Sequence, residues 1–318
     1  MSTYELAGNT LIIKGNTGVK DYCKDYKISR TKFNLPIVIA DTVKDCEDMF
    51  SDCSVFNQPV DIPLSVTNCK FMFDNCRNFN QPVTIPASVT DCEGMFFYCF
   101  QFNQPVYIPP SVKDCTAMFD ACRKLNQPIT ISSAIECSGM FCGCHEFNQP
   151  IILPNSIENC SNMFENCYMF NQPVTIPNSV KDCSGMFAYC EQFNQLIVIP
   201  DFIKNCESMF KCCTKFNQPI TLPSHLEKCN SMFTYCIKFN QPVEIPDSVT
   251  DCCSMFENCK SFNQPLTIPG TIKKYRYMLT GCESFNQPLG IYDTPEHRKI
   301  LFHGDANFKI SSEETNHF

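Results

Sequence analysis

The chain has little of what most enzyme chemistry needs. Histidine is scarce, with only His145, His225, His297, His303 and His317 in 318 residues, the last three near the C-terminal end. No G-x-S-x-G, P-loop or H-E-x-x-H pattern is present, so no nucleophile has a base in prospect and catalysis is not expected. Basic charge is short as well. Lys plus Arg number 25 against 33 Asp plus Glu, a net charge of −8, which would be repelled by phosphate backbones and anionic lipid, so neither nucleic acid nor membrane is an expected partner. The first residues show no basic and then apolar export segment, and no long apolar run occurs anywhere. Neither a signal peptide nor a membrane span is therefore expected, and the predicted location is cytoplasmic, with a virion as the other setting considered.

What the chain does have is a period. A unit reading F-N-Q-P-V-x-I-P-x-S-V-x-x-C-x-x-M-F-x-x-C-x-x begins at Phe33, Phe56, Phe79, Phe102, Leu125, Phe147, Phe170, Phe193, Phe216, Phe239, Phe262 and Phe285. Every interval is 23 residues except the 22 from Leu125 to Phe147. Units of this length without linkers cannot bury an apolar face alone and must stack, so the expected fold is an α/β repeat solenoid of about 11–12 coils. Three regions follow: residues 1–32 as a cap built on a degenerate coil with Val19 and Cys23 as its remnants, 33–290 as the solenoid, and 291–318 as a C-terminal cap. Ile300, Leu301, Phe302 and Phe308 in that last region are spaced to cover the final coil.

Within one unit, Val83 and Ile85 alternate with Thr84 between Pro82 and Pro86, which predicts a strand of about three residues pairing in parallel with its neighbours. Ser88 and Asp91 then look like a helix-capping pair, and Val89, Cys92, Met95, Phe96 and Cys99 recur every three or four residues, predicting a short helix. The leading Phe, the strand Val and Ile, and the helix Val, Cys, Met, Phe and Cys are the expected core. Asn follows the leading aromatic or Leu in every unit, from Asn34 to Asn286, and a stacked amide column of this kind is expected to bond the backbone of the bend.

Cysteine is abundant, 25 in all, but it is periodic rather than paired. One column runs from Cys46 to Cys252 and a second, seven residues later in each unit, from Cys53 to Cys282. On a helix that separation is about 10.5 Å, beyond the roughly 7 Å reach of a disulfide. Between neighbouring coils the same column repeats at about 5 Å, within reach, but parallel Cβ vectors would need local distortion, so free thiols acting as small core residues are expected. Cys23, Cys142, Cys212 and Cys253 stand outside the columns. In the shortened unit Cys137, Cys142, Cys144 and His145 crowd together in sequence, weak candidates for zinc or copper(I) because they lack the usual C-x-x-C spacing. No cofactor and no bound metal are expected.

The run V-T-D-C-x-x-M-F-x-x-C-x-x-F-N-Q-P-V resembles BspA-type surface-protein repeats. Its half FNQPVTIPxSV is similar to the FNIP repeat of amoebae and their large DNA viruses, and the resemblance covers about residues 33 to 290. It implies a leucine-rich-repeat-like solenoid serving as an interaction surface. The 32 residues before Phe33 are fewer than the F-box-like domain that some FNIP proteins carry.

The constant letters of the unit build the coil, so partner recognition is expected at the exceptions. On the strand face these are Tyr107, Ile152 and Val198; on the other side Phe97, Tyr98 and Phe100 crowd one coil, with Tyr189 and Tyr235 in the column of Tyr98. The expected function is a non-enzymatic scaffold for another protein. The alternative is a structural or surface component, in a virion or an adhesin, stiffened by cysteine crosslinks.

Overall fold

The computed structural model describes residues 2–302. Each repeat closes one coil, and the apolar columns meet along a continuous core. In the unit from Phe79, the side chains of Phe79, Val89, Cys92, Met95, Phe96 and Cys99 are all 0% exposed, whereas Thr84 faces outward. Two ladders of phenylalanine rings run along this core. One passes unbroken from Phe50 to Phe256, with centroid steps such as 5.4 Å for Phe50–Phe73 and 5.6 Å for Phe141–Phe164. The other starts at Phe33 and is interrupted where Leu125 replaces the ring.

The predicted helix of each coil is absent, and its place is taken by turns. Met72 donates its N–H to Cys69 O, Asp74 to Phe71 O and Cys76 to Phe73 O, a spacing of three residues. The N–H groups between them leave the coil: Cys69, Phe71, Phe73 and Asn75 donate to Asp91, Glu93, Met95 and Phe97 of the next one. A right-handed helix is also blocked by two left-handed residues per coil, here Phe71 (φ 49°) and Asn75 (φ 54°). Each is the third residue of a turn, the place where a type II turn needs positive φ. The three- and four-residue spacing that suggests a helix serves the successive turns equally well. Gly, Asn, Asp and Ser are frequent at the two left-handed positions, as at Asp48, Gly94, Gly139, Asn162, Gly185 and Ser208, and that enrichment is the available sequence signal against a helix.

The capping pair is also redefined. The Asp91 carboxylate accepts from the N–H of Glu93 two residues on, at 2.9 Å, which makes a local turn rather than a helix cap. The hydroxyl of Ser88 itself has no partner, as at Ser111 and Ser179, but other serines of this column turn backward. Ser65, Ser156 and Ser248 donate to Val43, Ala134 and Leu226 carbonyls of the preceding coil.

Parallel strand pairing is realised at only two places in the stack. Here β1 is Tyr4–Ala7, β2 Thr10–Ile13, β3 Ile37–Ile39, β4 Val106–Ile108 and β5 Ile129–Ile131. β2 pairs in parallel with β3, and β4 with β5. The residue that closes β3 is Ala40 and the one that closes β5 is Ser132, where the other repeats as far as the one from Phe262 place proline. Ala40 uses its N–H to reach Ile13 O at 2.9 Å. Proline has no such donor, so the remaining V-x-I segments keep the buried–exposed–buried alternation without a ladder.

The asparagine column does what its position suggests. From Asn34 onward each side-chain oxygen accepts from the backbone N–H of the next coil's asparagine, as in Asn80 to Asn57 at 2.9 Å and Asn194 to Asn171 at 2.9 Å. The neighbouring glutamine adds a bond to the same oxygen, for instance Gln195 to Asn171 at 3.2 Å.

Residues at the ends depart from the coil. At the N-terminal end β1 and β2 form an antiparallel hairpin, followed by α1 (Gly18–Asp25), in which Val19 and Cys23 are buried. This is a hairpin and helix rather than a degenerate coil. At the other end α2 (Pro295–Leu301) begins at Thr294, whose side chain accepts from His297 N. Leu301 and Phe302 are buried and Phe302 packs on Phe285 at 6.1 Å, while Ile300 is 36% exposed. Phe308, His303 and His317 lie outside the described residues.

Candidate functional site

With the core filled by constant letters, the side chains left for chemistry are the exceptions. The cysteines belong to the core. All 25 are free thiols, and only Cys142, Cys212 and Cys253 are not fully buried. The second column has a specific job: Cys76, Cys99, Cys167 and Cys190 each donate Sγ–H to a phenylalanine carbonyl of the preceding coil, at 3.0 to 3.1 Å. That carbonyl already accepts one N–H, so the thiol supplies a second bond without adding bulk. Burial pushes these thiols well above the usual cysteine range, which suppresses the thiolate needed for reaction. Without reductant, a thiol reagent should therefore titrate at most Cys142, Cys212 and Cys253 quickly in the folded protein and all 25 after unfolding. A full titre in the native state, or a deficit after unfolding, would contradict this arrangement.

The crowd of potential ligands in the shortened unit does not converge. Cys137 and Cys144 point into the core, where Cys144 bonds Phe119 O at 3.1 Å. His145 stacks on Tyr168 at 4.6 Å. The Cys142 thiol, pushed up to about 12 chiefly by burial, sits beside Asp120. Among the described residues no three His, Cys, Asp or Glu side chains gather as a metal would need.

The surface exceptions are displayed outward. On the strand face Tyr107 is 58%, Ile152 85% and Val198 83% exposed. The coil of Val198 carries two more that the strand-face column does not contain: Leu196, standing where most repeats have proline, and Phe202, standing in the serine position. Both are exposed. Near Phe202 the parallel bridges that join successive coils from Asp45 to Asp182 and from Asn205 to Lys274 skip the step from Asp182 to Asn205. A recess of about 520 Å³ lies there, lined by Glu158, Asn178, Ser179, Val180, Lys181, Phe202 and Lys204.

On the turn face, Tyr98, Tyr189 and Tyr235 all occupy a left-handed position, at φ 55°, 61° and 61°. A bulky residue is disfavoured there by about 1–2 kcal/mol, and the other occupants of the column include Asn75, Asn166, Asn258, Gly143 and Gly281. Tyr98 is exposed beside Phe97 and Phe100, at 4.4 and 5.9 Å between centroids, and Tyr235 is exposed too; Tyr189 is half-buried under the Lys211 ammonium. Rings held in a strained backbone suit display rather than packing. Tyr98→Asn is expected to stabilise the fold by about 1 kcal/mol, read as a higher urea midpoint. A lower midpoint would show that the ring is structural.

Comparisons with known proteins agree with this architecture. The model of one family, described as "Mycoplasma protein of unknown function, DUF285", matches in overlapping segments that together run from residue 26 to 314. A leucine-rich repeat protein from Bacteroides ovatus superposes with a TM-score of 0.60 at 20% identity, covering 96% of this chain and 97% of its own. A leucine rich cell surface protein from Faecalibacterium prausnitzii gives 0.56 at 17% identity over 98% and 90%. A leucine-rich repeat protein from Eubacterium ventriosum gives 0.54 at 14% over 93% and 97%. The search of curated proteins matched no relative. A core of stacked repeats, free of helices between its caps, thus has the leucine-rich-repeat-like fold, and the chain belongs to the DUF285 family.

Proposed function

We propose that the chain is a non-enzymatic scaffold that binds another protein through its strand face. The observation that carries this reading is the coil from Phe193. Leu196, Val198 and Phe202 of this one coil are 64%, 83% and 75% exposed. Ile152, 85% exposed, adds to the same face two coils earlier. Apolar groups at such exposure, set on a rigid frame, are the usual anchors of a protein interface.

A crosslinked structural component has less support, because its cysteines would have to leave the core and the Sγ–H bonds described above. The unpaired thiols fit a reducing compartment, which supports a cytoplasmic location. The Faecalibacterium neighbour is described as a cell surface protein; at 17% identity it supports the shared fold rather than a shared location.

The test uses immobilised full-length protein in a lysate of its native cell, beside the double variant Ile152→Asp and Val198→Asp. Both positions are solvent-exposed, so the variant should fold. A partner captured by the wild type should be lost by at least tenfold, since about 1.4 kcal/mol of lost contact suffices for that. Equal capture by both proteins would reject the strand face as the interface.

A further inference from the structure

The residue after the second cysteine column, near the end of each coil, forms its own column on the turn face, reading Ser54, Arg77, Phe100, Arg123, His145 and Tyr168. The Arg77 and Arg123 guanidiniums approach the Phe100 ring from the coils on either side, at 5.5 and 4.3 Å. Arg77 Nε donates to Asn75 Oδ1 at 2.8 Å, which fixes the plane of its fork. His145 extends the row; burial first and the Arg123 charge second hold its pKa below the usual histidine range.

Several lysines elsewhere in the stack are neutralised. Lys70, Lys124, Lys181, Lys204, Lys260 and Lys274 each pair with a carboxylate one coil away. Neither Arg77 nor Arg123 takes part in an ion pair among the described residues. What sets these two exposed guanidiniums apart is that one ring, Phe100, orients both, in a chain of net charge −8. Beside them opens a recess of about 340 Å³, lined by Asp74, Asn75, Arg77, Phe97, Tyr98 and Phe100.

The geometry points to this column as a binding site for an extended acidic peptide segment of a partner protein. Two carboxylates take the forks of Arg77 and Arg123, and an apolar side chain between them enters the recess against Phe97 and Tyr98. Arginine forks bind carboxylates bidentately, and stacking on Phe100 lowers the ordering cost of both. The two arginines stand two coils apart, about 10 Å at the usual strand spacing, which a segment in the polyproline II conformation spans in about three residues while bringing its side chains back to the same side. The motif is therefore acid-x-x-acid with an apolar residue inside. A nucleic-acid backbone fits less well, because Asp74, Asp120 and Glu165 share the turn face and would repel a continuous row of phosphates. The site rests on the scaffold reading but lies on a different face from the one proposed above.

Fluorescence anisotropy tests it with a labelled nonapeptide carrying two glutamates three positions apart and a leucine between. The controls are its double-glutamine version and a labelled oligothymidylate. The glutamate peptide should bind at least tenfold more tightly than either, weaken with added salt, and lose at least tenfold with Arg77→Gln plus Arg123→Gln. Arg77→Lys plus Arg123→Lys, which keeps charge but not the fork, should recover part of the loss. The strand-face variant should bind the peptide as the wild type does. Equal binding of the glutamine peptide, or indifference to both arginine substitutions with near-UV circular dichroism unchanged, overturns the site. Tighter oligothymidylate overturns the choice of a peptide. If the peptide fails while the strand-face variant still loses its captured protein, this site alone is wrong.

Discussion

Phe164→Ala should destabilise the protein by about 3–5 kcal/mol, the usual cost of emptying a buried aromatic site. The ring is fully buried and touches four others: Phe141 at 5.6 Å, Phe147 at 6.4 Å, Phe170 at 4.3 Å and Phe187 at 5.7 Å. It sits mid-stack, and a solenoid's stability is a sum of coils and nearest-neighbour interfaces. The substitution weakens two interfaces at once, so the coils on either side should also cease to unfold together. A urea titration followed by tyrosine fluorescence and far-UV circular dichroism should show a lower midpoint and probe-dependent transitions. Phe164→Leu should cost less, because Leu125 already replaces a ring in the parallel ladder while remaining 0% exposed. A midpoint unchanged by Phe164→Ala would mean that the ring ladder does not hold the coils together.

The second large effect is electrostatic. Asp120 has its pKa raised from 3.8 to about 6, first by burial and also by the Glu165 charge, against a lowering hydrogen bond from Cys142. Asp74 and Glu165 are shifted the same way, each chiefly by burial. The folded state then holds a proton more tightly than the unfolded chain does. Stability contributed by Asp120 is present at low pH and is lost as pH rises from about 4 through about 6, and that of Asp74 and Glu165 is lost in the same direction. For Asp120 the loss is at most about 3 kcal/mol, from 1.36 kcal/mol per pH unit, and partial solvent contact reduces it. Asp120→Asn should therefore raise the urea midpoint at about pH 7.5 and leave it nearly unchanged at about pH 4, where both side chains are neutral. A gain of equal size at both pH values would assign the effect to packing.

Much of this was legible in the sequence. The period locates the coils, and the columns of Phe, Val, Ile, Cys and Met identify the core residue by residue, because burial repeats with the unit. The asparagine column was readable since a lone amide repeated in every bend has one obvious task. The helix expectation fails because Val89, Cys92, Met95, Phe96 and Cys99 satisfy helical spacing and turn spacing alike. The contrary signal sat between them, in the Gly, Asn, Asp and Ser of the left-handed positions. Strand pairing is sparser than the alternation suggests, since the prolines that end most V-x-I segments also remove the donors that a ladder requires. At the surface, Tyr107, Ile152 and Val198 were visible as exceptions in one column. Leu196 and Phe202 stand in other columns, and Arg77 meets Phe100 only once coils stack.

The left-handed turns that replace helices set the outward direction of Tyr98 and its column, and coil-to-coil hydrogen bonds hold those turns. Far-UV circular dichroism tests this most directly. Among the described residues α-helix is confined to the eight residues of α1 and the seven of α2, so the folded protein should show only a weak helical signal that hardly changes in helix-sensitive wavelengths on unfolding. A strong helical double minimum, of the size that a helix in every coil would give, would contradict it.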